Sequence, residues 1–194
     1  MARRAGSRTA LAGLLAGALI ALGACGGGDK QDADDPGGTF KVDVPRASFP
    51  GKQHLAQENT LLITVVNKDT RTIPRAAITI DGFSQRRDDA SLADPNRPIW
   101  IVNEPPLDAD SALVNTWALG PIEPGKSRTF TWKVTPVRSG TYSVRYRVAV
   151  GLYGKAKAVD TATGAAPSGS FIVRVSRKPR PPKPVVEEQS ASAA

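Results

Sequence analysis

The chain has a single cysteine, Cys25, and a single histidine, His54. One thiol forms no internal disulfide, so core packing and strand hydrogen bonds must hold an exported chain of this kind together. One histidine makes any hydrolytic triad depend on one position, and no glycine-flanked G-x-S-x-G serine elbow accompanies it. His54 therefore reads as a solvent-facing or locally bonded loop residue. No D-x-D-x-D-G loop is present to frame calcium. Apolar residues seldom recur every three or four positions, which excludes long helices. The one extended apolar run, Thr9 to Ala24, is diluted by glycine and falls short of the ~20 residues that a membrane span needs. Neither a catalytic residue nor a resident metal or cofactor is assigned.

What the sequence does contain begins with a basic segment, Met1 to Arg8, followed by that Ala, Leu, Gly and Ile run ending in small residues. This is signal-peptide anatomy over residues 1–24. The next motif, Leu22-Gly23-Ala24-Cys25, resembles the lipobox of bacterial lipoproteins. The resemblance implies that Cys25 receives a diacylglycerol and becomes the first residue of the mature chain. Two or more acyl chains, palmitate among the common ones, hold a protein durably on a bilayer. The expected location is the extracytoplasmic face of the cell membrane, and acylation of Cys25 removes thiolate chemistry. The formal charge of +8 then loses Arg3, Arg4 and Arg8.

Residues 25–38 hold the lipidated cysteine and a stretch rich in Gly and Asp with nothing large to bury, which reads as a flexible tether. Asp32, Asp34 and Asp35 are expected to be solvated linker charges. From residue 39 to 176 the pattern has period two. Phe40, Val42 and Val44 alternate with polar residues until Pro45, which is expected to end an edge strand. Leu61 to Val66 is apolar on both faces, as suits a central strand. Ala76, Ile78 and Ile80 resume the alternation, as do Phe130, Trp132 and Val134. The longest case runs through Tyr142, Val144, Tyr146, Val148 and Val150, and Phe171, Val173 and Val175 close the domain. Seven or eight short strands separated by turn residues indicate an all-β, antiparallel β-sandwich of the immunoglobulin-like kind.

The order Leu61 to Asn67, Leu119 to Ser127 (LGPIEPGKS) and Gly140 to Val144 (GTYSV) resembles the bacterial cell-adhesion-related (CARDB) and conserved-repeat surface modules. The resemblance covers about residues 55–176 and implies a sandwich fold displayed at the cell surface, with no catalytic residue attached. Tyr142 would serve as the corner tyrosine tying the turn near Pro136 to its strand. Residues 82–110 form a long insertion within this frame.

Long loops in compact domains are commonly functional, so the insertion supplies the first candidate surface. Trp100, Trp117 and Tyr153 are candidates for a platform against a sugar ring or a partner's apolar patch. The competing reading makes the indoles core residues. Arg145 and Arg147 share the polar face of one strand, where they would meet anionic groups of a wall polymer or simply face water. Asp88, Asp89, Asp94, Glu104, Asp108 and Asp110 would reach calcium only if the insertion folded on itself, and Arg86, Arg87 and Arg97 lie close enough to pair with them. Residues 177–194 form a basic, proline-rich tail that reads as disordered. An exported chain lacking a reader motif is not expected to bind nucleic acid.

The combined expectation is a non-enzymatic, membrane-anchored binding or adhesion module that engages a protein or an anionic cell-wall polymer through its loops. The alternative is a structural envelope component or an accessory subunit of a membrane complex with no small ligand. Replacement of Cys25 by Ser is expected to move the protein from the membrane pellet to the soluble fraction and to abolish incorporation of a labelled fatty acid. Fractionation of expressing cells checks both.

Overall fold

The alternation that marks the longest predicted strand is realised residue by residue. In the computed structural model, which describes residues 32–84 and 98–178, β9 (Gly140–Val150) buries Tyr142, Val144, Tyr146, Val148 and Val150 and turns Ser143, Arg145 and Arg147 outward. Side chains on a pleated strand leave alternate faces, so one face of β9 seals the core and the other meets solvent. The remaining strands are β1 (Gly38–Ser48), β2 (Lys52–His54), β3 (Asn59–Asn67), β4 (Ala76–Asp81), β5 (Trp100–Glu104) and β6 (Asp110–Leu113). After them come β7 (Thr116–Leu119), β8 (Ser127–Pro136), β10 (Ala156–Asp160) and β11 (Ser168–Ser176).

They form two sheets, in the orders β10-β1-β3-β8-β5 and β2-β11-β9-β4-β7-β6. The sheets pack face to face as an immunoglobulin-like sandwich around one apolar core that includes Phe40, Leu61, Ile63, Ile78, Phe130, Trp132 and Val173. Among the described residues eleven strands stand where seven or eight are expected. The surplus comes from short segments, among them β5, which lies within the expected insertion, and β6, which begins at its last residue, Asp110.

Two strand expectations are corrected. Pro45 does not end an edge strand; β1 continues to Ser48 and lies between β10 and β3. The missing N–H of Pro45 is tolerated because pairing with β10 stops at Val42 and a bulge between Asp43 and Arg46 interrupts the ladder with β3. β3 is central, but its faces are unequal: Leu61, Ile63 and Val65 are fully buried, whereas Leu62, Thr64 and Val66 are half-buried on the outer side. The expected tether is also shorter than residues 25–38, because residues 32–38 are docked on the sandwich. Cys25 and the rest of that stretch lie outside the described residues, as do the signal segment and residues 179–194.

Tyr142 takes the corner role assigned to it. Its hydroxyl donates to the Ser139 carbonyl at 2.7 Å, closing the turn between β8 and β9. Gly140 makes room for that ring, since a Cβ there would stand 2.8 Å from the Tyr142 hydroxyl, and its φ of +145° suits glycine alone. Trp132 is buried against Phe130 and stands edge-to-face with Trp117 at 5.5 Å. Its indole N–H finds no hydrogen-bond partner among the described residues.

Tyr142→Phe removes one hydrogen bond and is expected to lower the unfolding free energy by about 1 kcal/mol. Gly140→Ala adds both a clash and an unfavourable φ, and should cost more. Urea unfolding of the two variants beside the parent protein checks the ranking.

Candidate functional site

The indole platform expected from the insertion is absent. Trp100 is 1% exposed and Trp117 8%. Trp100 opens β5 on its inward side, where its ring packs on Tyr142 at 5.3 Å and its Nε1–H donates to Gln53 Oε1 at 2.9 Å. Trp117 sits in β7, a strand buried along its whole length, and meets Phe83 as well as Trp132. Burial in an aromatic cluster satisfies both rings, so neither presents a face to a ligand.

Tyr153 is 42% exposed, in the loop between β9 and β10. It stands at the opposite end of the sandwich from Trp100, which pairs with Pro136 where β8 finishes. Trp100 and Tyr153 therefore do not share a surface. Asp110, the last residue of the insertion, does come near the loop after Val150: its carboxylate lies 3.0 Å from Arg75 Nη1, and the Arg75 carbonyl accepts from the Gly151 amide.

Arg145 and Arg147 do lie together. Both are exposed on the outer face of the second sheet, and the register sets Arg145 between Ser170 of β11 and Asp81 of β4, with Arg147 between Ser168 and Thr79. Arg147 Nη2 is 3.5 Å from Asp81 Oδ2, an ion pair open to solvent and hence weak. Arg174 of β11 and Lys52 of β2 sit opposite one another on the same outer face and extend the positive charge toward the sheet edge.

A shallow groove of about 480 Å³ runs beside this row, lined by Asp81, Arg145, Tyr146, Arg147 and Ser168 to Ser170. Gly169 shapes its floor. A Cβ at that position would stand 2.5 Å from the Tyr146 ring, so only glycine lets the ring lie across β11. Burial pushes the Tyr146 phenol above its ordinary value, which keeps it a neutral hydroxyl in the physiological range. Two guanidinium forks with serine hydroxyls alongside can hold phosphate or carboxylate oxygens through charge-assisted hydrogen bonds.

The calcium arrangement gains no support. Asp88, Asp89 and Asp94 lie outside the described residues, with Arg86, Arg87 and Arg97. Glu104 instead pairs with Lys133 at 2.8 Å and Asp110 with Arg75. Among the described residues no group of three or more His, Cys, Asp or Glu could hold a metal ion. His54 is not the locally bonded loop residue expected: it ends β2, half-buried, and its Nδ1–H donates at 2.7 Å to the carbonyl of Lys178, 124 residues further along the chain.

The structure adds residues that sequence reasoning missed. Asp32 is buried, not solvated, and its Oδ2 accepts the amides of Leu152 and Tyr153 at 2.8 and 3.0 Å. Burial by itself would raise its pKa, but those amides and the nearby charge of Arg75 outweigh it and leave the carboxyl below its ordinary value. Asp35 pairs with Arg75 at 3.3 Å, and Lys155 Nζ donates to the Ala33 carbonyl. Asn67 is buried as well, with Nδ2 donating to the carbonyls of Arg71 and Ile122 and Oδ1 accepting the Asp69 amide. Asp69 in turn accepts the amides of Lys41 and Arg71. Burial opposes its ionisation, yet these bonds and the Arg71 guanidinium hold its pKa down at about 2.

Comparison with protein-family models and with curated proteins finds no match. Solved structures similar to the chain include all-β domains. One is the CARDB domain of a Pyrococcus furiosus protein, solved with di-metal ions, at 12% identity over 70% of this chain and 87% of that one, with a TM-score of 0.44. Another is a cohesin module from a Clostridium perfringens family 33 glycoside hydrolase, at 9% identity over 72% and 99%, with a TM-score of 0.43. A third is an ASH/PapD-like domain of human CEP192, at 13% identity over 73% and 88%, with a TM-score of 0.39. The first is a domain of the kind that the sequence motifs resemble. At these identities the likeness concerns the fold alone.

Asp69 has a folded pKa of about 2 against an ordinary 3.8, so its contribution to stability is complete above pH ~4 and is lost as the pH falls toward 2. Asp69→Asn should lower stability at neutral pH and flatten the acid limb between pH 4 and 2. Urea midpoints measured across that window, with and without the substitution, check the effect.

Proposed function

We propose that the chain is a lipid-anchored, extracytoplasmic binding module that engages an anionic cell-wall polymer through the outer face of its second sheet. The observation that carries this reading is the row of Arg145, Arg147, Arg174 and Lys52, all exposed, beside a groove edged with Ser168 and Ser170. Asp81 is the acid that the register sets directly beside Arg145, so the neighbourhood keeps a surplus of positive charge. Repeating phosphate or carboxylate groups suit such a row, because each guanidinium takes two oxygens and several weak contacts act together. The lipobox-like motif at Cys25 supports placement on the membrane, facing the wall. The role is binding rather than catalysis.

A second reading, an accessory subunit of a membrane complex, rests on Leu113 and Val114. These apolar residues stand 42% and 83% exposed at the tip of the β6–β7 hairpin, where a partner protein would cover them.

The double variant Arg145→Ala/Arg147→Ala is expected to reduce retention on purified, teichoic-acid-bearing wall by about tenfold at low salt. The parent protein should lose much of the same affinity as ionic strength rises and screening shortens the reach of its charges. Photo-crosslinking in cells from position 170 discriminates the two readings. Polymer adducts support the first, whereas a discrete protein band captured from position 114 and not from 170 supports the second.

A further inference from the structure

The amino-terminal stretch that the sequence presents as a free tether is built into one end of the sandwich. Asp32 fills a small cradle made by the loop between β9 and β10. Gly151 has a φ of +74°, and a Cβ there would stand 3.2 Å from the Asp32 carboxylate, so glycine admits the acid. The amides of Leu152 and Tyr153 then point at one oxygen. Asp35 is fixed on Arg75, and the Gly38 amide donates to the Lys155 carbonyl as β1 begins its parallel pairing with β10. The domain's point of departure toward Cys25 is thus one defined corner.

From Cys25 to Asp32 the chain reaches at most about 25 Å when fully extended. β9 alone, with eleven residues, spans the sandwich over about 35 Å. A sandwich free to tumble on a long tether would sample every orientation; this one has little slack at its docked corner. The loop that holds Asp32 is also the loop that carries Tyr153, 42% exposed, with Leu152 half-buried beside it. An aromatic ring bearing a hydroxyl suits the bilayer interface, apolar body inward and polar tip toward the headgroups. Charge at this end is mixed: the exposed cations Lys68, Arg71, Lys126, Arg128 and Lys155 stand with the exposed acids Asp34, Asp110 and Glu123, and Arg71 is paired with Asp69.

We infer that the Asp32 cradle orients the domain on the bilayer with the Leu152-Tyr153 tip in the headgroup region and the β6–β7 hairpin pointing away. The inference rests on the proposed lipidation of Cys25. It places the arginine row on a sheet face that stands roughly upright from the membrane.

The acylated protein, reconstituted in phosphatidylcholine vesicles carrying a shallow spin-labelled quencher lipid, provides the test. Acylation blocks the Cys25 thiol, so a cysteine introduced as Thr70→Cys, at the docked end, or Val114→Cys, at the far end, takes a fluorescent label alone. The expected result is quenching several-fold stronger at position 70 than at 114. Asp32→Ala should bring the two within about twofold, and Tyr153→Ser should weaken quenching at 70. Intrinsic tryptophan fluorescence verifies that each variant is folded, and the comparison in the parent background decides the orientation whatever Asp32→Ala does to folding. Equal quenching at 70 and 114, in protein whose Cys25 carries the acyl mass, overturns the orientation and leaves the anchor standing. Strong quenching at 70 that Tyr153→Ser does not change overturns the tip contact. Absence of the acyl mass overturns the anchor and the orientation together.

Discussion

The buried amide of Asn67 is the point on which one whole end of the molecule depends. It closes β3 and makes three hydrogen bonds to backbone: two donors to the Arg71 and Ile122 carbonyls, one acceptor for the Asp69 amide. A buried amide left unsatisfied costs more than a made bond returns, so this geometry tolerates little variation. Through Ile122 it holds the turn between β7 and β8, where Ile73 and Ile122 exchange backbone hydrogen bonds. Through Asp69 it reaches β1, because that carboxylate accepts the Lys41 amide and steers Arg71 over the Phe40 ring at 4.2 Å. Arg71, held in this chain of contacts, also donates to the Thr39 carbonyl at the start of β1.

A polar hub at one end and an aromatic wedge at the other divide the work of holding two sheets together without a disulfide. At the wedge, Phe49, Phe83 and Trp100 stand about 6 Å apart, with Tyr142 against Trp100. Rings at such angles fill volume without needing exact sequence partners. The arginine-bearing face between these ends is supported from beneath by Tyr146, Val148 and Val144, so the backbone presenting Arg145 and Arg147 is rigid although the side chains are solvated.

Much of this was legible in the sequence where a residue's role is set by its neighbours in the chain. Strict alternation from Tyr142 to Val150 specified a strand with one buried face, and the same pattern put Arg145 and Arg147 side by side. Tyr142 was readable because its hydrogen bond closes a turn three residues away. Trp100 was harder: an apolar island bounded by prolines and acids looks the same whether it is a loop platform or a short strand closing a sheet edge, and only the presence of β8 beside it decides. Asp32 was beyond local reading. It lies among glycines and other acids, and its partners are backbone amides about 120 residues away, which carry no side-chain signature. Pro45 misled for a related reason, since its tolerance depends on where the pairing of two other strands happens to stop.

The parallel pairing of β1 with β10 has a mechanical consequence. Ladder hydrogen bonds run across the strands, so tension applied to the amino-terminal end along β1 loads its bonds with β10 and β3 together instead of opening them one at a time. The Asp32 and Asp35 contacts lie ahead of that ladder and would yield first, lengthening the leash before the sandwich itself bears load. A domain pulled between an anchored terminus and a bound surface would therefore give slightly, then hold.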